Sequence, residues 1–207
     1  MTTRISEIAP GADPVTIEAN KTRQGNHLSS ALPRRYRNAT VSVPEVSQWV
    51  ASLVASAVED KFLRVTHGGT LLLLGPRGTG KTWQMWGAIR ELVESGASVM
   101  WRYTTAPDLF AELRPRQGID AEQIYDGYAG TGLLVIDDLG AEKASEWTSE
   151  YLFRLINRRW DWELPTLVAS NVEPDEFSER FGERVTSRLC GMSSQVTMTG
   201  RDRRRDR

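Results

Sequence analysis

Leu71-Leu72-Leu73-Leu74-Gly75-Pro76-Arg77-Gly78-Thr79-Gly80-Lys81-Thr82 is the stretch from which the rest of this 207-residue chain is read. The leucine run has the unbroken apolar character of a short strand buried on both faces. The eight residues after it spell G-x-x-x-x-G-K-[ST], a loop whose backbone N–H groups surround a phosphate chain at the start of a helix. Gly75, Gly78 and Gly80 permit backbone conformations that a β-carbon forbids. Lys81 brings a point charge to the β- and γ-phosphates, and the Thr82 hydroxyl is a ligand for Mg²⁺. Pro76 and Arg77 take the variable positions of the loop, and Thr79 completes it. A chance glycine-rich turn is the competing reading, and the strand before and helix after the loop argue against it.

Outward from the loop, strand and helix patterns alternate. Strands are expected over residues 70–74, 97–103, 132–137, 165–170 and 195–199, separated by helical patterns. The helices are expected over 81–94, 104–113, from the cap Asp120 to 128, over 145–160 and, as short pieces, between 174 and 190. This alternation implies an α/β fold with a parallel sheet covered on both faces, where ligands bind beyond the carboxyl ends of the strands. Ahead of it, Ser42-Val43-Pro44-Glu45 has the form of a capping box that starts an amphipathic helix ending near Lys61. Residues 1–32 lack periodicity and are expected to be an irregular arm. Residues 33–200 are expected to form one α/β domain, and 201–207 a basic, solvated tail.

Charge and cysteine usage exclude several classes. Lys and Arg number 26 against 27 Asp and Glu, so no global basic field marks a polyanion partner and any nucleic-acid contact has to be a local stripe. One cysteine, Cys190, rules out an intramolecular disulfide framework. No apolar stretch approaches a membrane span and no secretory signal pattern opens the chain, so a cytoplasmic location is expected.

A second cluster of chemistry follows. Leu133-Leu134-Val135-Ile136-Asp137-Asp138 places two carboxylates at a strand end, the Walker B pattern. Asp137 is expected to hold Mg²⁺, and Asp138 to act as general base or water-orienting group for attack on the γ-phosphate. A pair of helix-capping aspartates is the alternative. Asn171, ending the fourth strand, is placed to reach the attacking water, or is an ordinary strand-terminal Asn. Arg184 and Arg188 lie four apart on one helical face, where an arginine can complete a neighbouring subunit's site.

Taken with Leu32 to Thr40, Leu155 to Trp160 and Gly182 to Leu189, these motifs resemble the ATPase domain of DnaC-type replicative helicase loaders, the AAA+ group that also includes IstB-type transposition helpers. The resemblance implies a P-loop NTPase three-layer sandwich with a five-stranded parallel sheet of order 5-1-4-3-2 and a helical lid absent or reduced. It implies ATP and Mg²⁺ as cofactors, with Tyr36, Arg37 and Asn38 against the adenine. Arg188 would be the finger acting in trans, with Arg184 as second choice. The region holding Arg114 and Arg116 corresponds to a helical insertion that contacts single-stranded DNA. A replicative DNA helicase, single-stranded DNA and self-association on ATP are the implied partners, and membrane is not among them.

An IstB-like role in transposition, a non-hydrolysing ATP-dependent DNA-binding switch and a small-molecule kinase remain as alternatives. Trp83 and Trp86 could stack bases, but at their spacing they are expected to pack the helix instead.

Overall fold

A computed structural model describes residues 7, 9, 11–191 and 193–200. The expected tail at 201–207 lies outside the described residues. The chain divides into two compact units, one of residues 1–68 and 82–100, the other of residues 69–81 and 101–207.

The second unit carries the sheet. Its strands are β1 (Thr70–Leu74), β2 (Trp101–Thr105), β3 (Leu133–Leu139), β4 (Thr166–Ser170) and β5 (Ser193–Thr197). All pairings are parallel and the order is β2-β3-β4-β1-β5, the expected 5-1-4-3-2 read from the other edge. This is the topology of a three-layer α/β sandwich of the P-loop NTPase type. Leu71 to Leu74, Leu133 to Asp137 and Thr166 to Ser170 are buried without interruption, as strands covered on both faces require. Leu72, Leu74, Leu134, Ile136 and Val168 turn one face toward an apolar cluster. Facing them are α4 (Ala106–Leu113), α5 (Ala121–Ala129), α6 (Glu146–Asp161), α7 (Phe177–Phe181) and α8 (Glu183–Gly191).

Local chemistry sets where these helices start. Thr105 caps α4, with Pro107 in its first turn, and Asp120 Oδ1 accepts from the N–H groups of Glu122 and Gln123 at 3.0 Å each to start α5. Ser145 and Thr148 form a capping box for α6. At the other end of α6, Arg159 is 1% exposed and donates to the carbonyls of Tyr128, Ala129, Thr131 and Pro165 and to Thr166 Oγ1. Burial without a carboxylate partner pushes its guanidinium down to about 9, still charged at neutral pH. One side chain thereby ties α6 to the segments that lead into β3 and β4.

Three expectations are corrected by the structure. Residues 14–31 are not irregular: Pro14–Ala31 is an 18-residue helix, α1, capped by Asp13, whose carboxylate accepts from the N–H groups of Val15 at 3.1 Å and Thr16 at 3.0 Å. Its buried row is Ile17, Asn20, Gln24 and Leu28, a helical spacing in which two of four members are amides. A hydrophobicity pattern cannot register such a face. The amides are buried because they pair with backbone: Asn20 Nδ2 donates to Gly96 O at 3.2 Å, Gln24 Nε2 donates to Ala97 O, and Gln24 Oε1 accepts from Val99 N at 3.2 Å.

Ser42 does not cap the next helix. In α2 (Pro44–Val58) the cap position is Val43, with no side-chain bond, and the helix stops short of Lys61. The side chain of Gln84, on α3 (Lys81–Ser95), does the capping instead, its Oε1 accepting from Ser42 N at 2.9 Å and Val43 N at 3.2 Å. Pro44 has no N–H to be capped, and Gln84 satisfies the two donors just ahead of it. Gly87 lets α3 pass close to the chain before α2, since a β-carbon there would lie 2.6 Å from the Thr40 carbonyl carbon. Trp86 is 2% exposed and its ring stacks on Tyr36 with centroids 6.5 Å apart, so it packs the helix rather than waiting for a base.

The third correction concerns β2, which begins only at Trp101. Ser98, expected within it, instead forms an isolated parallel bridge with Arg64.

Candidate nucleotide site

The loop 75–81 leaves the end of β1, Asn171 follows β4, and Asp137 and Asp138 lie just before β3 ends at Leu139. Because β4 lies between β1 and β3, Asn171 emerges between the phosphate loop and the acids. Two strand spacings separate loop and acids, roughly 10 Å. That gap accommodates a phosphate chain and a hydrated cation.

The loop is held open by its glycines. Gly75, Gly78 and Gly80 have φ of 133°, 85° and 100°. At Gly75 crowding adds to conformation: a β-carbon would lie 2.1 Å from Met198 O, because Met198 N donates to Leu74 O at 2.7 Å and draws the chain after β5 against the loop. Lys81 is 6% exposed, and its Nζ donates to Gly75 O at 2.5 Å and Pro76 O at 2.9 Å. Thr79 Oγ1 also donates to Pro76 O, at 3.0 Å. The ammonium thus rests on the loop's own carbonyls, neutral acceptors that an anionic phosphate oxygen outcompetes.

The two acids have opposite surroundings. Asp137 is 3% exposed, while Asp138 is exposed and has φ of 52°, unusual for a residue with a side chain. The cause is a break in register: Ile136 pairs with Val168 but Leu139 pairs with Ser170, so the strand bulges at the acids and continues beyond residue 137, its expected end. Asp137 Oδ1 accepts from Asp138 N at 2.8 Å, and Oδ2 accepts from the Tyr103 hydroxyl at 2.7 Å. Tyr103 escaped the sequence reading, since an aromatic in a strand gives no signal of where its hydroxyl reaches.

Asn171 Oδ1 is buried with no hydrogen-bond partner. Beside it Ser170 Oγ donates to Leu139 O at 2.7 Å and accepts from Val172 N at 3.1 Å, fixing the ends of β3 and β4 to each other. Arg184 and Arg188 lie one turn apart on α8, and the Arg184 guanidinium sits 4.4 Å over the Phe153 ring, a cation–π contact within the same chain.

Arg114 and Arg116 are exposed on the turn after α4 and line a groove of about 490 Å³ with Phe110 and Thr148. Lys143 lines the same groove and was not anticipated, being remote in sequence. Tyr36, Arg37 and Asn38 belong to the first unit, where Arg34–Tyr36 is a 3₁₀ turn and Arg37 O accepts from Arg90 Nη2.

Among the described residues no cluster of three or more His, Cys, Asp or Glu side chains could by itself hold a metal ion. Mg²⁺ needs none, since it keeps several waters and takes one or two carboxylates together with substrate phosphates. A single buried carboxylate near a phosphate loop fits that donor chemistry.

Sheet order, phosphate loop and paired acids define an AAA+-type P-loop ATP-binding protein. Residues 51–200 match the family described as IstB-like ATP binding protein, and the chain belongs to that family. It is 30% identical over 151 residues to the replicative helicase loader DnaI of Bacillus subtilis (strain 168), covering 66% of this chain and 48% of that protein. It is 31% identical over 116 residues to the putative ATP-binding protein of insertion sequence IS5376 of Geobacillus stearothermophilus, covering 56% of this chain and 45% of that one. The chain therefore spans about half the length of the curated relatives it matches. The crystal structure of DnaI shares the fold, with a TM-score of 0.65 at 23% identity over 84% of this chain and 94% of that structure. No helix among the described residues is long and apolar enough to cross a membrane.

Proposed function

We propose that this protein is an ATP-dependent helicase loader that hydrolyses ATP as an oligomer, engages single-stranded DNA and delivers a replicative helicase in the cytoplasm. The observation that carries the reading is the pair of acids at one strand end, one dry and oriented, the other exposed, with a partnerless Asn171 oxygen between them and the phosphate loop. A buried polar atom without a partner is uncommon and needs an explanation, which a bound water or reacting group supplies here.

In this reading the loop amides, Lys81 and Thr82 bind the triphosphate, and Asp137 holds the Mg²⁺ that offsets phosphate charge. Asp138 takes a proton from the attacking water, and Asn171 orients that water through its amide. Arg188 of one copy stabilises transition-state charge in the site of the next, with Arg184, one turn away, as the second choice. Arg114, Arg116 and Lys143 form a local basic stripe for DNA phosphates, whose contribution weakens with salt.

The test is phosphate release measured against protein concentration, with and without single-stranded DNA and a candidate replicative helicase. A rate per subunit that rises with concentration and again with either partner supports the reading. ATP binding with no release under any of these conditions replaces it with a nucleotide-dependent switch. The likeness to an insertion-sequence protein favours one further reading, a helper of DNA transposition. Affinity capture comparing a replicative helicase with a transposase of the insertion-sequence type separates the two.

A further inference from the structure

Thr105 on β2 stands directly opposite Asp137 on β3, and Tyr103 stands opposite Val135. Residues two apart on a strand share a face, so Tyr103 and Asp137 lie diagonally on one side of the sheet, within reach of a long side chain. The nearer Thr105 is otherwise engaged: its Oγ1 donates to Asp108 Oδ2 at 2.6 Å and accepts from Asp108 N, capping α4. The Tyr103 hydroxyl is what arrives, donating to Asp137 Oδ2 at 2.7 Å. With Asp138 N on Oδ1 at 2.8 Å, each carboxylate oxygen has a donor from a different direction, and the plane of the carboxylate is determined.

We propose that Tyr103 is a positioning residue that holds the Asp137 carboxylate in the orientation in which it receives the Mg²⁺ of a bound triphosphate. The inference rests on the Mg²⁺–ATP reading above. Packing alone does not account for the hydroxyl, because phenylalanine would fill the same half-buried space, whereas donors behind a metal-binding carboxylate set its orientation and contribute about 10- to 100-fold to metal affinity.

The variant Tyr103→Phe, made in the whole chain, isolates one oxygen atom. Binding of a fluorescent ATP analogue is measured in EDTA and across a Mg²⁺ titration, with Mn²⁺ binding to the protein–nucleotide complex followed by electron paramagnetic resonance. Thermal melting verifies the fold. Affinity in EDTA is expected to match the wild type, while the Mg²⁺ and Mn²⁺ concentrations for half-saturation rise about 10-fold. In an Asp137→Asn background the same change is expected to add nothing, since the group it orients has lost its charge. An unchanged metal requirement in a wild type that does bind Mg²⁺–ATP through Asp137 would overturn the role of Tyr103 and leave the nucleotide reading standing. So would an equal loss of affinity in EDTA. A wild type whose ATP binding is indifferent to metal removes both.

Discussion

Arg180 Nη2 donates to the Gly140 carbonyl at 2.6 Å, so α7, which leads directly into the helix of Arg184 and Arg188, grips the turn just past the two acids. The same nitrogen donates to Glu142 O at 2.5 Å, and the Glu142 carboxylate accepts from Gly140 N at 2.8 Å, closing the turn. The acids and the arginine helix are therefore mechanically joined through a side chain that touches neither nucleotide motif.

Arg180→Met should uncouple them. Hydrogen bonds from a charged donor contribute about 1.5–3 kcal/mol, and a loss of about 2 kcal/mol is expected in urea unfolding. ATP affinity should hold while phosphate release per subunit falls. Equal losses in binding and turnover would place Arg180 outside the coupling.

The three nucleotide variants should separate by step. Lys81→Ala removes the charged donor and is expected to weaken ATP binding by about 2 kcal/mol, roughly 30-fold. Asp138→Asn should bind ATP and retain it unhydrolysed, and Arg188→Ala should bind normally yet lose concentration-dependent turnover. Mixing the last two should restore part of the activity at hybrid interfaces, and a mixture as inactive as its components removes the action in trans.

Gly75→Ala meets two obstacles, a φ of 133° and the Met198 carbonyl oxygen 2.1 Å from the new methyl. The obstacle is backbone rather than a flexible side chain, so the loop or the chain after β5 has to move. A cost of about 3 kcal/mol is expected, with loss of ATP binding even where the protein still folds. A variant with wild-type melting and wild-type affinity would mean that residues 75 and 198 are not in contact.

Arg159→Met leaves the carbonyls of Tyr128, Ala129, Thr131 and Pro165 without this donor in a dry environment. A destabilisation of about 3 kcal/mol or more is expected, and Arg159→Lys should recover only part of it, since one ammonium cannot span the same acceptors. Chemical denaturation of the three proteins side by side measures this. Full recovery with lysine would reduce the role of Arg159 to its charge.

Much of the fold was legible because its signals are local. The apolar runs of β1, β3 and β4, the cap Asp120 and the glycine spacing of residues 75–80 all act within a few positions of themselves. Helix α1 was not legible, because Asn20 and Gln24 are buried through bonds to residues 96, 97 and 99, far along the chain. The start of α2 departs from the sequence pattern for the same reason, the donors just ahead of it being met by Gln84, 42 and 41 residues on.

The site divides along that line. Which residues carry charge and hydroxyl, and in what order along the chain, is written in the sequence: a phosphate loop after one strand, twin acids after another, an amide after a third. Only the tertiary structure made Asp137 dry and held and Asp138 exposed, because that difference depends on a bulge in pairing with β4 and on a hydroxyl 34 residues away on β2. Side chains brought together by strand order follow no spacing rule, so no pattern along the chain could have announced them.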